Sequence, residues 1–417
     1  MRQNAAIAYA IYSAGDGFLF RMIFTIYSIF VVLTLGFTPF QLVLLGTILE
    51  GTYLLCEVPT GVVADTWGRR ASYLLGSVTL AISTALYWLA WQMQAPFWAW
   101  AATSMLLGLG FTFFSGATEA WLVDALKFTG FKGNLESVFA KGQVVGGVAM
   151  LSGSVLGGLV AQWTNLGVPY ILRAVTLAVT FAVAFHYMRD WGFVPKPGTQ
   201  PVHEMRQLLR SSVHYGLGSP PVRWMMLAAP FTFGVGIFAF YAMQPYLLEL
   251  YGNEQAYSIA GLAAAIIAGA QIAGGMLAPQ VRRLVRRRTS ALLAGLLIEV
   301  VLLALLGLAT TFWVAVGLLV LWGLTGAASL PIRQAYINGL IPSAQRATVL
   351  SFDNLLGSSG GVVIQPALGK AADVWSYSTS YLVGAAFQLL AVPFTILARR
   401  EHASADPIET VPAQQGA

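Results

Sequence analysis

Long apolar runs broken by short polar stretches are the dominant pattern of the chain. Twelve apolar segments can be marked: Ala5–Leu35, Pro39–Val63, Ala71–Trp91, Pro96–Ala125, Ser137–Ala161, Val168–Met188, Trp224–Leu250, Ala256–Ala278, Ser290–Leu308, Thr310–Ile337, Ala347–Leu368 and Ser380–Ala398. Runs of about 20 residues match the thickness of a bilayer core crossed as a helix. The runs are uniformly apolar, whereas barrel strands alternate. Backbone in lipid must satisfy its own hydrogen bonds, which makes helices the default. The pattern predicts an all-α membrane protein with twelve transmembrane helices. The longest polar stretch, Arg189–Arg223, holds Pro195, Pro197, Pro201, Pro220 and Pro221. It divides the chain into a bundle at 1–188, a linker at 189–223, a bundle at 224–398 and a tail at 399–417. A short amphipathic helix is expected at Glu204–Tyr215, and disorder after Arg400.

Composition agrees: 57% of the 417 residues are hydrophobic and 10% charged, against about a quarter charged in a soluble domain. The net charge of +6 could point to nucleic acid, but its placement excludes that. Arg69, Arg70, Lys127, Lys132, Lys141, Arg189, Lys196, Arg206, Arg210, Arg223, the cluster Arg282–Arg288, Arg346, Arg399 and Arg400 fall in alternate loops. The loops near Gly36, Gln94, Asn165, Gly252 and Ala309 have no Lys or Arg at their centres. The positive-inside rule then places both termini in the cytoplasm. Membrane insertion accounts for the Arg282–Arg288 cluster, although such clusters also attract anionic lipid. The lone Cys56 allows neither a disulfide framework nor a zinc spacing and reads as a packing residue. The N-terminus reads as the first helix, not a cleaved signal. Trp88, Trp91, Trp98 and Trp100 fit an aromatic belt, and Arg173 and Lys370 read as interfacial anchors.

The two halves look related. Leu156-Gly-Gly-Leu-Val-Ala-Gln-Trp163 is echoed by Leu368-Gly-Lys-Ala-Ala-Asp-Val-Trp375, at an offset of roughly 212 residues, with Tyr170 and Tyr381 following. Weak repeats of this kind mark transporter folds built from two similar bundles.

The most specific motif is Gly61-Val-Val-Ala-Asp65-Thr-Trp-Gly68-Arg69-Arg70, between the second and third segments. Asp65 closes one helix, Gly68 permits a tight turn, and Gly61 permits close helix approach. Arg69 and Arg70 lie within reach of Asp65 and of Asp124 at the end of the fourth segment, a charge-assisted cluster able to hold one conformation shut. The decapeptide resembles the loop motif Gly-x-x-x-Asp-x-x-Gly-Arg-Lys/Arg of the major facilitator superfamily. With Glu57-Val-Pro-Thr-Gly61 before it, it is similar to the bacterial drug-efflux branch, including tetracycline- and macrolide-exporter-like proteins. The resemblance covers the layout of the whole chain. It implies two pseudo-symmetric six-helix bundles that rock about a midplane site. It also implies a latch at Gly61, Asp65, Gly68, Arg69, Arg70 and Asp124 that stabilises the outward-facing state. The second-half copy, Gly275-Met-Leu-Ala-Pro279-Gln-Val-Arg282-Arg283, has Pro279 in place of the aspartate, so the latch is uneven. In the fifth segment, Gly153-Ser154-Val-Leu-Gly157-Gly158 keeps the closing glycines of an exporter motif but not its proline.

Ionisable groups inside the membrane are costly, which makes each a functional candidate. Glu50 and Glu57, seven apart, share a helix face. With Asp16 they are the candidates for proton coupling, because burial disfavours a charged carboxylate and suits it to take up and release a proton. Structural pairing competes with that role. Arg21, Glu119, Trp121, Arg333, Asp353, Tyr241 and Tyr336 are candidates for the substrate cavity. Ser115-Gly-Ala-Thr118-Glu119-Ala-Trp121-Leu-Val-Asp124 resembles a fourth-helix motif of drug-efflux-like and anion-transporter-like members. The repeat offset pairs that region with Pro331 and Arg333, so Glu119 and Asp353 compete as partners of Arg333. Glu299 carries little weight. Tyr27, Tyr53, Phe113, Phe114, Phe240, Tyr246 and Trp322 would add aromatic walls, which suit an amphipathic or cationic solute.

No phosphate loop, metal-ligand spacing or Ser/His/Asp grouping occurs among the four histidines. The expectation is a protein that is no enzyme and needs no cofactor and no metal. It would be a monomeric secondary transporter of the bacterial cytoplasmic membrane, with a small-molecule substrate, protons and the lipid bilayer as partners and no nucleic acid. Proton-coupled export of a hydrophobic or amphipathic compound leads. Import of a small anion through Arg21 and Arg333, or a non-transporting receptor or scaffold, remain the alternatives.

Overall fold

A computed structural model describes residues 2–114, 117–131, 135–193, 216–341 and 346–408. The helix expected at Glu204–Tyr215, the residues Lys132, Lys196, Arg206 and Arg210, and the side chains of Pro279, Arg282, Arg283 and Arg346 lie outside the described set. Helices dominate: α1 Arg2–Ile29, running into a π turn Phe30–Thr34, α2 Pro39–Thr66, α3 Arg69–Gln92, α4 Phe97–Thr112, α5 Ala117–Phe128, α6 Leu135–Trp163, α7 Val168–Tyr187, α8 Pro220–Tyr251, α9 Tyr257–Leu284, α10 Arg288–Gly307, α11 Phe312–Leu340, α12 Arg346–Val374, α13 Tyr377–Leu389 and α14 Ala391–Arg400.

Local chemistry sets several boundaries. Thr38 and Gln41 form a reciprocal capping box that starts α2, with Pro39 at its first position. The expected last segment breaks at Leu390, where Pro393 lacks the N–H that would bond the Leu389 carbonyl. The expected fourth segment likewise splits into α4 and α5, with a turn at Phe113 and Phe114.

Among the described residues, eleven spans are long and apolar enough to cross a membrane. The remaining expected segment, the eleventh, lies in α12, which has 29 residues but a more polar sequence, with Asp353, Asn354, Ser358, Ser359, Gln365, Lys370 and Asp373.

Contacts divide the chain into two compact units. The first holds residues 1–205 with 241–265, the second 206–240 with 266–417. In the first, α1 packs along α6, α2 on α4, and α3 on α4 and α7. Small residues allow this: a Cβ on Gly17 would strike the Gly146 carbonyl, and one on Gly153 or Gly157 the carbonyls of Phe18 or Met22. The glycines of the fifth segment therefore serve helix packing. In the second unit, α10 packs on α11 and α13, and Gly234 and Gly360 bring α8 against α12. The same packing scheme thus recurs in both units.

Three expectations change. Residues 401–408 are ordered: Asp406 is 2% exposed and Trp224 Nε1 donates to Glu401 at 3.0 Å. Trp100 is no belt residue, being 1% exposed among Phe30, Phe37 and Tyr87, with its indole donating to the Ala95 carbonyl. A Cβ on Gly61 would meet nothing within 4 Å among the described residues, so the close approach expected there is not seen among them.

Replacing Gly157 by leucine should destabilise the protein by about 1–3 kcal/mol through overpacking against α1, read as a fall in thermal midpoint in detergent.

Candidate functional site

The α2–α3 turn is held from both sides. Asp65, on the last turn of α2, pairs with Arg69 at 2.6 Å, with the side chains 32% and 19% exposed. Gly68 has φ +111°, which a side chain would strain. A Cβ there would also strike the carboxylate of Asp190. Asp190 follows α7 and accepts from the Arg70 amide at 2.8 Å, with a further bond from the Arg69 amide. It therefore satisfies the exposed amides at the start of α3. Arg70 reaches back to the Phe185 carbonyl at 2.5 Å and lies 5.0 Å over the Phe185 ring. Trp121 Nε1 donates to the Arg189 carbonyl at 2.8 Å, pinning the segment that carries Asp190. Asp124, expected to pair with the arginines, forms no ion pair with them among the described residues. Its carbonyl instead packs near Gly192.

The second unit repeats the device. Asp406 Oδ1 accepts from the Thr289 amide at 2.9 Å and hydroxyl at 2.8 Å, and the Asp406 carbonyl accepts from the Arg288 amide at 2.9 Å, at the start of α10. Arg288 Nη1 donates to the Ala405 and Pro407 carbonyls. The sequence reading missed Asp190 and Asp406. Their only signal was an acidic residue following the sixth span of each half.

Among intramembrane groups, Asp16 accepts from the Tyr73 hydroxyl at 3.3 Å and lies within electrostatic reach of Glu119 and Tyr12. Tyr12 packs on Tyr73 and on Trp121, at 5.1 and 5.7 Å between centroids. Trp121 is 1% exposed, a core residue. Glu119 is exposed, Glu57 is exposed and Glu50 is half-buried. Glu50 lies within electrostatic reach of Tyr241, which is 3% exposed and 6.0 Å from the Tyr27 ring. Arg21 is half-buried on α1.

In the second unit, Asp353 takes both Arg333 nitrogens, at 2.5 and 2.6 Å, and Arg333 also donates to the Met225 carbonyl at 3.3 Å. Of the two competing partners, Asp353 holds Arg333. Tyr336 is wholly buried in the core, its hydroxyl donating to the Ala398 carbonyl at 3.4 Å. Glu299 accepts from Gln388 Nε2 at 2.5 Å. Arg173, expected to snorkel, is instead 2% exposed, 5.8 Å from the Phe111 ring.

The Major Facilitator Superfamily model matches residues 6–298 and 281–416. The chain belongs to the Major Facilitator Superfamily. It is thus a multi-pass membrane transporter with a small-molecule substrate, and not an enzyme. No curated relative matches the chain in sequence. Solved superfamily structures resemble it in fold. The nucleoside transporter NupG aligns with a TM-score of 0.77 at 13% identity, over 95% of this chain and 99% of that one. A POT family transporter in complex with 5-aminolevulinic acid gives 0.70 at 14% identity, over 96% of each. A bacterial homologue of the human lysosomal transporter Spinster, inward-facing and unoccupied, gives 0.70 at 17%, over 99% of each. At such identities the likeness is one of fold, and it does not single out the drug-efflux branch of the superfamily.

Burial raises the Asp190 carboxyl above its ordinary value, against the lowering pull of the Arg70 and Arg69 amides and guanidinium groups. The native state therefore holds this proton more readily than the unfolded chain. Its contribution to stability is full below the unfolded value of about 3.9 and is lost as pH rises through the raised native value. The thermal midpoint of wild type relative to Asp190→Asn should accordingly be most favourable near pH 4 and move toward the variant by pH 7. A difference that stays flat with pH would contradict the assignment. Gly68→Ala should cost about 1–3 kcal/mol for the strained backbone, in the same assay.

Proposed function

We propose that the chain is a proton-coupled secondary transporter that exports a hydrophobic or amphipathic compound from the bacterial cytoplasm by alternating access. The observation that carries this reading is the pairing of an intact motif turn, closed by Asp65 and Arg69, with carboxylates inside the same unit's spans. Asp16 has a tyrosine hydroxyl as its partner, and Glu50 has tyrosine in electrostatic reach. Neither carboxylate has an ion-pair partner among the described residues. A carboxylate partnered by hydroxyls can exist charged or neutral without stranding a counter-ion, as a proton carrier must. Tyr27 and Tyr241, buried with their rings 6.0 Å apart, offer aromatic surface that favours an amphipathic solute over a strongly hydrated one. The anion-import alternative loses Arg333 as a substrate contact in this conformation, since Asp353 already satisfies it.

In this reading the motif turn works as the latch, with the Asp65–Arg69 pair as the part that breaks and remakes. Partly exposed pairs stabilise folds by about 0–1 kcal/mol. Asp65→Asn should therefore leave the thermal midpoint nearly unchanged while slowing pH-gradient-driven movement at least tenfold in proteoliposomes. Wild-type rates in the variant would remove the latch role. Glu50→Gln should abolish the dependence of transport on the pH gradient while leaving solute binding intact. Retained gradient dependence would remove Glu50 from the coupling.

A further inference from the structure

Arg173 sits on α7 with 2% of its surface exposed. Its Nε has no hydrogen-bond partner among the described residues. The groups that bear on its charge are Tyr170 and Tyr87, with the Phe111 ring face 5.8 Å away, and no carboxylate is among them. A ring face offsets only part of the cost of taking a guanidinium out of water, and arginine does not escape by losing its proton. One turn away, the Tyr170 hydroxyl is also buried, with no hydrogen-bond partner among the described residues. Tyr87 is already engaged, with Ser104 at 2.6 Å and Tyr27 at 3.4 Å.

The corresponding place in the second unit shows that packing does not require this cation. Tyr381 matches Tyr170 in the repeat and is likewise buried. Three residues on, where the first unit has Arg173, the second has Gly384, beside Val235 and Leu368 at ordinary contact distances. The fold closes over a glycine there, so the arginine is an addition to one unit.

We propose that Arg173 and Tyr170 form a site for the carboxylate of an aromatic or amphipathic organic acid, the anionic end of the transported solute. A single cation with one free hydroxyl matches a singly charged group that guanidinium can grip in a bidentate manner. Tyr87, Phe111 and Tyr27 supply ring surface for the apolar remainder. The arginine is closed off until the site opens, consistent with a solute admitted by a conformational change. This rests on the transport reading for its purpose, but not for its test.

The test uses the full-length protein in detergent, with sodium benzoate as probe and sodium chloride at equal ionic strength as reference. Benzoate should raise the thermal midpoint in a dose-dependent way, and chloride should not. Arg173→Gln should lose the response, and Tyr170→Phe should weaken the apparent affinity several-fold. Arg173→Lys, which keeps the charge and guards against misfolding of the glutamine variant, should weaken it about tenfold, because lysine cannot grip both oxygens. No response in wild type, an equal response to chloride, or unchanged affinity in the Arg173 variants would overturn the site. Binding in detergent needs no gradient. Benzoate that binds through Arg173 yet is not carried into proteoliposomes would leave the site standing and count against the transport reading alone.

Discussion

A helix that begins at the edge of a membrane bundle presents backbone amides with no partner in its own first turn, and water reaches them poorly once neighbouring helices close in. Both units meet this constraint at their third span in one way: an aspartate from beyond the sixth span accepts from those amides, Asp190 for α3 and Asp406 for α10. The carboxylate also faces the positive end of the helix dipole. Each contact ties the end of a unit to its middle, and the motif turn is built onto the first of them. Gly68 has no side chain because Asp190 occupies that space, and Arg70 offers its amide to Asp190 while its guanidinium reaches the end of α7. The decapeptide that names the superfamily is thus half of a joint whose other half lies well over a hundred residues later.

That distance explains what the sequence concealed. Periodicity, turn residues and charge asymmetry are local, so the helices, the Gly68 turn and the Asp65–Arg69 pair were legible. Asp190 and Asp406 looked like ordinary loop charges because their meaning lies in a non-local contact. Arg173 was misplaced for a related reason. Its depth along the segment was read from position, but whether it turned toward lipid or protein depends on the rotation of α7, which a nearly all-apolar helix does not encode clearly. Trp100 failed in the same way. The breaks at Phe113 and Leu390 were hidden inside apolar runs, although Pro393 was in plain view.

The two units share their packing yet differ in electrostatic character. In the second, Asp353 holds Arg333 as an ion pair, while Glu299 accepts from the neutral amide of Gln388. In the first, Asp16 has a hydroxyl, Glu50 has tyrosine in reach, and Arg173 has ring faces. Satisfied charges resist change, whereas charges with neutral neighbours can exchange protons or accept a counter-ion at lower cost. The superfamily's two-bundle plan does not oblige the bundles to divide their charges evenly.

The strap formed by residues 401–408 also bears on how the protein is made. α10 leaves the ribosome more than a hundred residues before Asp406 exists to cap it. At synthesis rates of about 5–20 residues per second, that gap lasts on the order of ten seconds. Asp190, the cap of α3, is by contrast already available while α10 is still being threaded into the bilayer. The cap of α3 is thus in place before that of α10, and biogenesis gains a built-in order from the position of two aspartates.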